Sequence, residues 1–195
     1  MIIDVSSNQG RIDWLKVSKE VDGVILRATI KNGKLDSRFM EYYNGILKNS
    51  NSKLQSISAY KFSYERDYIG AYREACECLQ TLLDHGIRMQ VLDCFYCDIE
   101  QWGGRDYTTA EADAVLKGYR DACHEFGVKF GMYFNYNYAK HIVNPQVWKR
   151  YPLWIARYNK TLGDVSPWTP VLWQYTSTGT VSGITTNVDI SKELK

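Results

Sequence analysis

The stretch Cys97-Asp98-Ile99-Glu100 closes an apolar and aromatic run that includes Val91, Leu92, Phe95 and Tyr96. It continues into Gln101-Trp102-Gly103-Gly104, a pattern that predicts a β-strand opening into a loop. Because side chains alternate along a strand, Asp98 and Glu100 share one face and Cys97 and Ile99 share the other. Two carboxylates are therefore expected side by side at the carboxyl end of a strand, roughly 6.5–7 Å apart along the backbone.

The Asp98-x-Glu100 pair has a chemical use. Like charges at this separation resist joint ionisation, so the pKa of one carboxyl should rise. A carboxyl with a raised pKa beside an ionised carboxylate suits acid catalysis of glycosidic bond cleavage. Taken alone, however, such a pair fits an exposed strand end with two solvated acids better, and the rest of the chain has to decide.

Strand and helix patterns alternate on both sides of this pair. A capping box, Thr108-x-x-Glu111, opens the clearest helix, and Gly127 ends it. Strands separated by helices favour parallel pairing. The chain is therefore predicted to be α/β, one irregular TIM-like β/α barrel of eight strands with fewer than eight helices, a single domain over residues 1–195. The predicted strands are 1–6, 23–29, 57–64, the strand ending at Glu100, 129–134, 152–156, 171–175 and 187–190. The other predicted helices are 14–20, one starting at 36 or 37, 68–85, and a weaker one near 137–149 that Pro145 interrupts.

The composition is that of a globular chain. Of its 195 residues, 45% are hydrophobic and 24% are charged, which allows one domain with a substantial core. The formal net charge of +2 gives no electrostatic reason to expect nucleic acid or an anionic membrane as a partner. No apolar stretch reaches the length of about 18 residues that a membrane span needs.

The amino terminus and the cysteines bear on the compartment. Met1-Ile2-Ile3-Asp4 has neither a basic region nor a long apolar segment, so no signal peptide is predicted and synthesis in the cytoplasm is expected. An odd number of cysteines then favours free thiols. A zinc site from Cys76-x-Cys78 and Cys94-x-x-Cys97 is the weaker interpretation, because one pair lies in a helical pattern and the other in a strand pattern. The five cysteines are Cys76, Cys78, Cys94, Cys97 and Cys123.

In a barrel of this type, function collects where the strands end at their carboxyl side. Asp4 on the first strand and Asp189 on the last become neighbours when the barrel closes, facing Asp98 and Glu100 across the mouth. Four carboxylates around one mouth are unfavourable unless a ligand or a reaction requires them. Aromatic side chains join them, although about half are expected to be core packing. These are Phe62 or Tyr64, Tyr133, Trp154, Tyr158, Trp173 and Tyr175.

A series of short motifs resembles the glycoside hydrolase family 25 lysozymes, the muramidases of phage endolysins and Chalaropsis-type enzymes. The motifs occur in the family's order and cover nearly the whole chain. They are Asp4-Val5-Ser6-x-x-Gln9-Gly10, Ile12-Asp13-Trp14, Val24-Ile25-Leu26-Arg27-Ala28-Thr29, Asp98-x-Glu100, Gly131-x-Tyr133, Trp154-x-Ala156-x-Tyr158, Trp173-Gln174-Tyr175 and Val188-Asp189. Two departures touch the groove walls: Ala59-Tyr60-Lys61-Phe62 lacks the usual Gly and His, and Lys31-Asn32-Gly33 lacks the usual acid.

The resemblance implies an N-acetylmuramidase that cuts the β-1,4 bond between N-acetylmuramic acid and N-acetylglucosamine in bacterial peptidoglycan. Glu100 resembles the general acid and Asp98 its partner, while Asp4 and Asp189 resemble cleft acids that position substrate or water. The implied enzyme needs no metal or organic cofactor, acts on the wall after release, and is expected to be a monomer. The implied sugar contacts are Tyr158, Trp173, Tyr175, Trp154, Phe62 and Tyr133.

Two other functions stay open at the level of sequence. A family-18-like chitinase also ends a barrel strand in Asp-x-Glu, but Cys94 and Tyr96 stand where its longer acidic series needs acids. A catalytically inactive glycan-binding module would have no need of Glu100.

Overall fold

The computed structural model describes residues 1–50 and 53–194, and its strands close into a barrel. In the described residues the strands are β1 (Ile2–Val5), β2 (Gly23–Arg27), β3 (Ser56–Phe62), β4 (Phe95–Asp98), β5 (Phe130–Asn135), β6 (Leu153–Ala156), β7 (Leu172–Gly179) and β8 (Val188–Glu193). The α-helices are α1 (Trp14–Val17), α2 (Phe39–Asn49), α3 (Tyr68–Asp84), α4 (Thr109–Phe126), α5 (Tyr136–His141) and α6 (Pro145–Trp148). The predicted fold class, an irregular eight-stranded barrel with fewer than eight helices, is confirmed.

The direction of the last strand differs from the prediction. Strands β1 to β7 pair in parallel with their sequence neighbours, whereas β8 is antiparallel to both β7 and β1. The segment between β7 and β8 is too short for the crossover of a dozen or more residues that parallel pairing requires. The parallel pairing favoured for strands separated by helices therefore does not extend to β8, and the barrel is mixed.

Local sequence explains most element ends. Thr108 and Glu111 form the reciprocal capping box at the start of α4, and Gly127 ends that helix in the left-handed conformation at φ 69°. The weak helix predicted near 137–149 is two short helices, because Pro145 occupies the first turn of α6 and starts it. The strand β4 begins only at Phe95, since the residues from Met89 to Val91 form a turn of 3-10 helix.

Buried side chains form two layers. The outer layer packs the strands against the helices and includes Cys97 and Ile99, both fully buried. The inner layer fills the barrel itself. Within it, Gly131 leaves room for the ring of Tyr96, because a Cβ at Gly131 would lie 2.7 Å from that ring. The inner layer consists of Ile2, Ile25, Cys94, Tyr96, Tyr133, Trp154, Ala156 and Leu172.

All five cysteines are free thiols in this structure, and only Cys76 is partly exposed. Burial raises the pKa of the Cys78 and Cys94 thiols to about 12. Their thiolate fraction at neutral pH is therefore very small, which makes them poor nucleophiles and poor metal ligands. No helix in the described part of the chain is long and apolar enough to cross a membrane.

Candidate active site

The four predicted acids meet at one mouth of the barrel. Asp4 on β1 lies directly opposite Asp189 on β8 in the antiparallel pairing of those strands. Asp98 is the last residue of β4, and the N–H of Ile99 donates to the carbonyl of Tyr133 at 3.0 Å, which extends the β4–β5 ladder towards Glu100. Cys97 and Ile99 enter the outer layer, so Asp98 and Glu100 project into the barrel as the alternation predicts.

Asp189 reaches this mouth by a different route from the one predicted. We expected it at the carboxyl end of the last strand, but it is the second residue of β8, near the amino end. Because β8 runs antiparallel, its amino end meets the carboxyl ends of the other strands. The predicted neighbour relation of Asp4 and Asp189 holds for this reason.

Burial raises the pKa of all four carboxyls, and the charges of neighbouring acids raise the pKa values of Asp98, Asp4 and Glu100 further. For Asp98 burial is the main cause, followed by the charges of Glu100 and Asp4. For Asp4 burial comes first and Asp189 second, while a hydrogen bond from Gln174 opposes them. The pKa of Glu100 is raised by burial and then by Asp189, and that of Asp189 by burial. The four carboxyls therefore resist being ionised together at neutral pH.

Asp98 is the most isolated of these acids. It is buried, and its Oδ1 has no hydrogen-bond partner in the described residues. The charge of Lys61 lowers the pKa of Asp98, but burial and the neighbouring acids outweigh it. A buried acceptor without a partner is unfavourable in a resting protein, and it is available for an N–H of a bound molecule.

Gln174 organises the acid side of the mouth, and sequence reasoning gave it no role. Its Nε2 donates to Asp4 Oδ2 at 2.9 Å, and its Oε1 accepts from the hydroxyls of Tyr133 at 2.8 Å and Tyr158 at 2.9 Å. The signal was present in Trp173-Gln174-Tyr175, where a polar residue alternates with two aromatic ones along a strand. The amide fixes which oxygen of Asp4 is engaged and holds both tyrosines at the mouth.

The predicted aromatic contacts separate into two groups. Trp154 is 1% exposed inside the barrel, where its Nε1 donates to Ser191, and Trp173 is 5% exposed in the outer layer, where its Nε1 donates to the carbonyl of Arg157. Tyr175 packs against the same outer layer. These placements do not support sugar stacking by Trp154 or Trp173, whose indole rings have almost no free face.

Of the other aromatic residues, Tyr158 and Phe62 border open space and Tyr133 does not. Tyr158 is 57% exposed and Phe62 is partly exposed, whereas Tyr133 is buried with its hydroxyl directed at Gln174. Glu100 and Tyr158 line a groove of about 520 Å³ that the ends of β5 and β6 complete. Its other lining residues are Asn135, Tyr136, Asn137, Ala156, Arg157 and Asn159. A groove of this volume is large enough for part of a glycan strand.

Similarity to known proteins agrees with the geometry. Residues 3–184 match the family described as Glycosyl hydrolases family 25. The chain belongs to glycosyl hydrolase family 25. The expected family is therefore confirmed, and the four acids lie in a family 25 glycoside hydrolase domain. No curated protein sequence matches the chain.

Solved structures with the same fold extend this result. The modular autolysin LytC from Streptococcus pneumoniae is 25% identical with a TM-score of 0.84, over 97% of this chain and 45% of that one. The CTP1L endolysin is 27% identical with a TM-score of 0.75, over 99% of this chain and 66% of that one. A bacterial lysozyme from Streptomyces coelicolor, 21% identical over 98% of this chain and 90% of its own, shares the fold at a TM-score of 0.70. This family 25 domain thus spans less than half of LytC and about two thirds of CTP1L.

Proposed function

We propose that this family 25 domain is an N-acetylmuramidase that hydrolyses the β-1,4 bond between N-acetylmuramic acid and N-acetylglucosamine in bacterial peptidoglycan. The observation that carries the proposal is the pair at the end of β4, where partly exposed Glu100 lies beside buried Asp98 and both carboxyls have raised pKa values. Family membership gives the reaction class. LytC, one of the similar structures, has been solved in complex with a synthetic peptidoglycan ligand.

Glu100 is the best candidate for the general acid. It lines the open groove, and its raised pKa keeps a proton available for the leaving glycosidic oxygen. Asp4 and Asp189 are proposed to hold substrate or water on the opposite side of the mouth. The exposed ring of Tyr158 is the leading sugar contact, with Phe62 and the Tyr133 hydroxyl as further candidates, and Trp173, Tyr175 and Trp154 less favoured.

Asp98 is proposed to act through the substrate. It shares a strand face with Glu100, so the two carboxyls do not lie on opposite sides of a sugar ring, and Asp98 is poorly placed to attack C1. The acetamido oxygen of the sugar would attack C1 while the leaving oxygen takes the proton of Glu100. The unpartnered Oδ1 of Asp98 would accept the acetamido N–H, and its charge would balance the developing positive charge.

The function is tested on purified, peptide-bearing cell walls. Digestion should lower turbidity and release fragments whose new reducing ends are N-acetylmuramic acid. Glu100→Gln, which keeps the shape but lacks the transferable proton, should lose ~10²–10⁴-fold in rate with unchanged circular dichroism. New N-acetylglucosamine reducing ends would show that the other glycosidic bond of the wall glycan is cut. Cleavage of chitin in place of wall would show a chitinase-like enzyme. Binding to walls without any cleavage would make the domain a glycan-binding module.

The route is tested by the stereochemistry of the product. Participation of the acetamido group retains the β-configuration, whereas direct attack by water activated by Asp4 or Asp189 inverts it. NMR of the first product, recorded before mutarotation, should show the β-anomer. An initial α-anomer would rule out substrate assistance and assign the base to Asp4 or Asp189.

We propose that residues 1–195 act as one monomeric catalytic domain, that it is made in the cytoplasm and meets the wall after release, and that it needs no cofactor. The net charge of +2 gives no support for a nucleic acid partner.

A further inference from the structure

A cation stands over two aromatic rings beside the acidic mouth. The ammonium of Lys31 lies 5.3 Å from the ring centroid of Tyr64 and 5.3 Å from that of Trp102. The two rings meet edge to face at 5.7 Å, and Phe62 packs 4.8 Å from Tyr64. We call Lys31, Phe62, Tyr64 and Trp102 the Lys31 cluster.

The Lys31 cluster lies at the same end of the barrel as the four acids. Phe62 is paired with Asp98 in the parallel register of β3 and β4, and Tyr64 follows Phe62 by two residues. Burial is the main cause of the raised pKa of Tyr64, and the charges of Glu74 and Asp98 add to it. Trp102 follows Glu100 by two residues. The cluster therefore borders the β3 and β4 side of the mouth, while Tyr158 borders another side.

The position of Lys31 is fixed by its loop. Ile30 and Lys34 close a hydrogen-bonded turn at 2.9 Å, and Thr29 forms a bridge with Leu35. Buried Lys61 extends its Nζ to within 3.4 Å of the carbonyl of Ile30, so the turn is attached to β3. Lys31 thus projects from an anchored turn.

Lys31 also has unused donors, unlike Lys61 and Arg66, the other two cations over these rings. The guanidinium of Arg66 donates to the carbonyls of Trp102, Arg105 and Asp106, and thereby holds the loop after β4. The ammonium of Lys31 makes no hydrogen bond or ion pair with any described residue. Lys31 itself lines a cavity of about 670 Å³, together with the cations Lys61 and Arg73 and the acids Glu65, Asp67, Glu74 and Glu77. An exposed ammonium held over two rings, with its donors free, is suited to bind an anion.

We propose that Lys31 binds a carboxylate carried by the muramoyl residue of the substrate, and thereby selects wall glycan over neutral glycans. The proposal rests on the proposed muramidase function. Muramoyl residues differ from N-acetylglucosamine by a lactyl ether, which either bears a free carboxylate or carries a peptide with carboxylates.

The test compares wild type, Lys31→Met and Lys34→Met on soluble, uncrosslinked glycan strands in three forms. The first form bears stem peptides, the second is the same material with its carboxyls converted to methylamides, and the third has been stripped by an amidase, which leaves only lactyl carboxylates. Lys34→Met is the matched control, because Lys34 lies on the same turn and its substitution removes the same charge. Among the described residues the ammonium of Lys34 contacts no aromatic ring and forms no ion pair.

On the first form, Lys31→Met should raise KM about five- to tenfold with kcat retained, because the contact is remote from the reacting atoms. Lys34→Met should behave as wild type. On methylamidated strands no carboxylate remains for Lys31 to bind. Wild type and Lys31→Met should therefore have equal KM values on this form. A KM difference that persists on stripped strands assigns the anion to the lactyl group, and one that disappears there assigns it to the stem peptide.

Two results would overturn the proposal. One is an unchanged KM of Lys31→Met on peptide-bearing strands, and the other is an equal rise on methylamidated strands, which would indicate a shape effect. Failure of the muramidase function itself gives a different outcome, since wild type would then cut none of the three forms.

Discussion

Single side chains at the mouth act on one another mainly through charge. Asp189 is the second cause, after burial, of the raised pKa of Glu100, while the hydroxyl of Tyr133 opposes it. Glu100 therefore depends on a residue from the far end of the sequence for its tuning as an acid.

Asp189→Asn should lower the pKa of Glu100, because it removes a neighbouring negative charge. Glu100 then loses its proton at lower pH, so the alkaline limb of the kcat/KM profile should move to lower pH. The profile is measured on soluble glycan strands with Asp84→Asn, an exposed site on α3, as the matched control. An alkaline limb at the wild-type position would show that Asp189 does not tune Glu100.

At the scale of elements, one buried ion pair joins β3 to the helix layer. Lys61 points outward from β3 and lies 3.5 Å from Glu74 on α3, with side-chain exposures of 1% and 13%. Glu74 also accepts from the Ser63 hydroxyl, the Tyr64 N–H and the Tyr119 hydroxyl. The pair fixes the strand end from which Phe62 and Tyr64 project.

Lys61→Met should destabilise the fold by about 3–5 kcal/mol, because it leaves the Glu74 carboxylate buried without its cation. Adding Glu74→Gln removes that charge but keeps an oxygen acceptor, so the double variant should recover a large part of the loss. Urea unfolding of wild type, both single variants and the double variant measures the coupling. Strictly additive losses would mean that the two charges do not stabilise each other.

For the whole molecule, the buried acids at the mouth of the barrel lower the free energy of unfolding at neutral pH, although the proposed reaction requires them. The raised pKa of Asp98 means that the folded state holds this proton more tightly than the unfolded chain does. The contribution of Asp98 to the free energy of unfolding is therefore greatest at pH values below about 3.9, the pKa of Asp98 in the unfolded chain. It is lost as the pH rises from there towards the folded value.

Asp98→Asn should accordingly raise the free energy of unfolding at pH 7 by about 1–2 kcal/mol, while activity falls. The gain should shrink as the pH falls towards 4, where wild-type Asp98 is protonated in the folded state and about half protonated in the unfolded chain. Thermal unfolding at pH 7 and pH 4 measures it, with Asp84→Asn reporting the effect of net charge alone. A variant less stable than wild type at pH 7 would contradict this account of Asp98.

Local pattern in the sequence determined the elements and the chemistry of the site. Helix periodicity, the Thr108 capping box and Gly127 predicted α4, and strand alternation put Asp98 and Glu100 on one face. The four acids could be named in advance because carboxylates at strand ends are a local signal. The family followed from motifs that each lie within a few residues.

Tertiary structure alone decided what depends on partners distant in sequence. It decided that β8 runs antiparallel, that Trp154 and Trp173 are buried while Tyr158 is exposed, and that Gln174 links Asp4 to two tyrosines. It also brought Lys31 over Tyr64 and Trp102. A strand's composition does not say which face will be covered or which residue will lie opposite. Those facts follow from register and closure, which arise only when all eight strands pair.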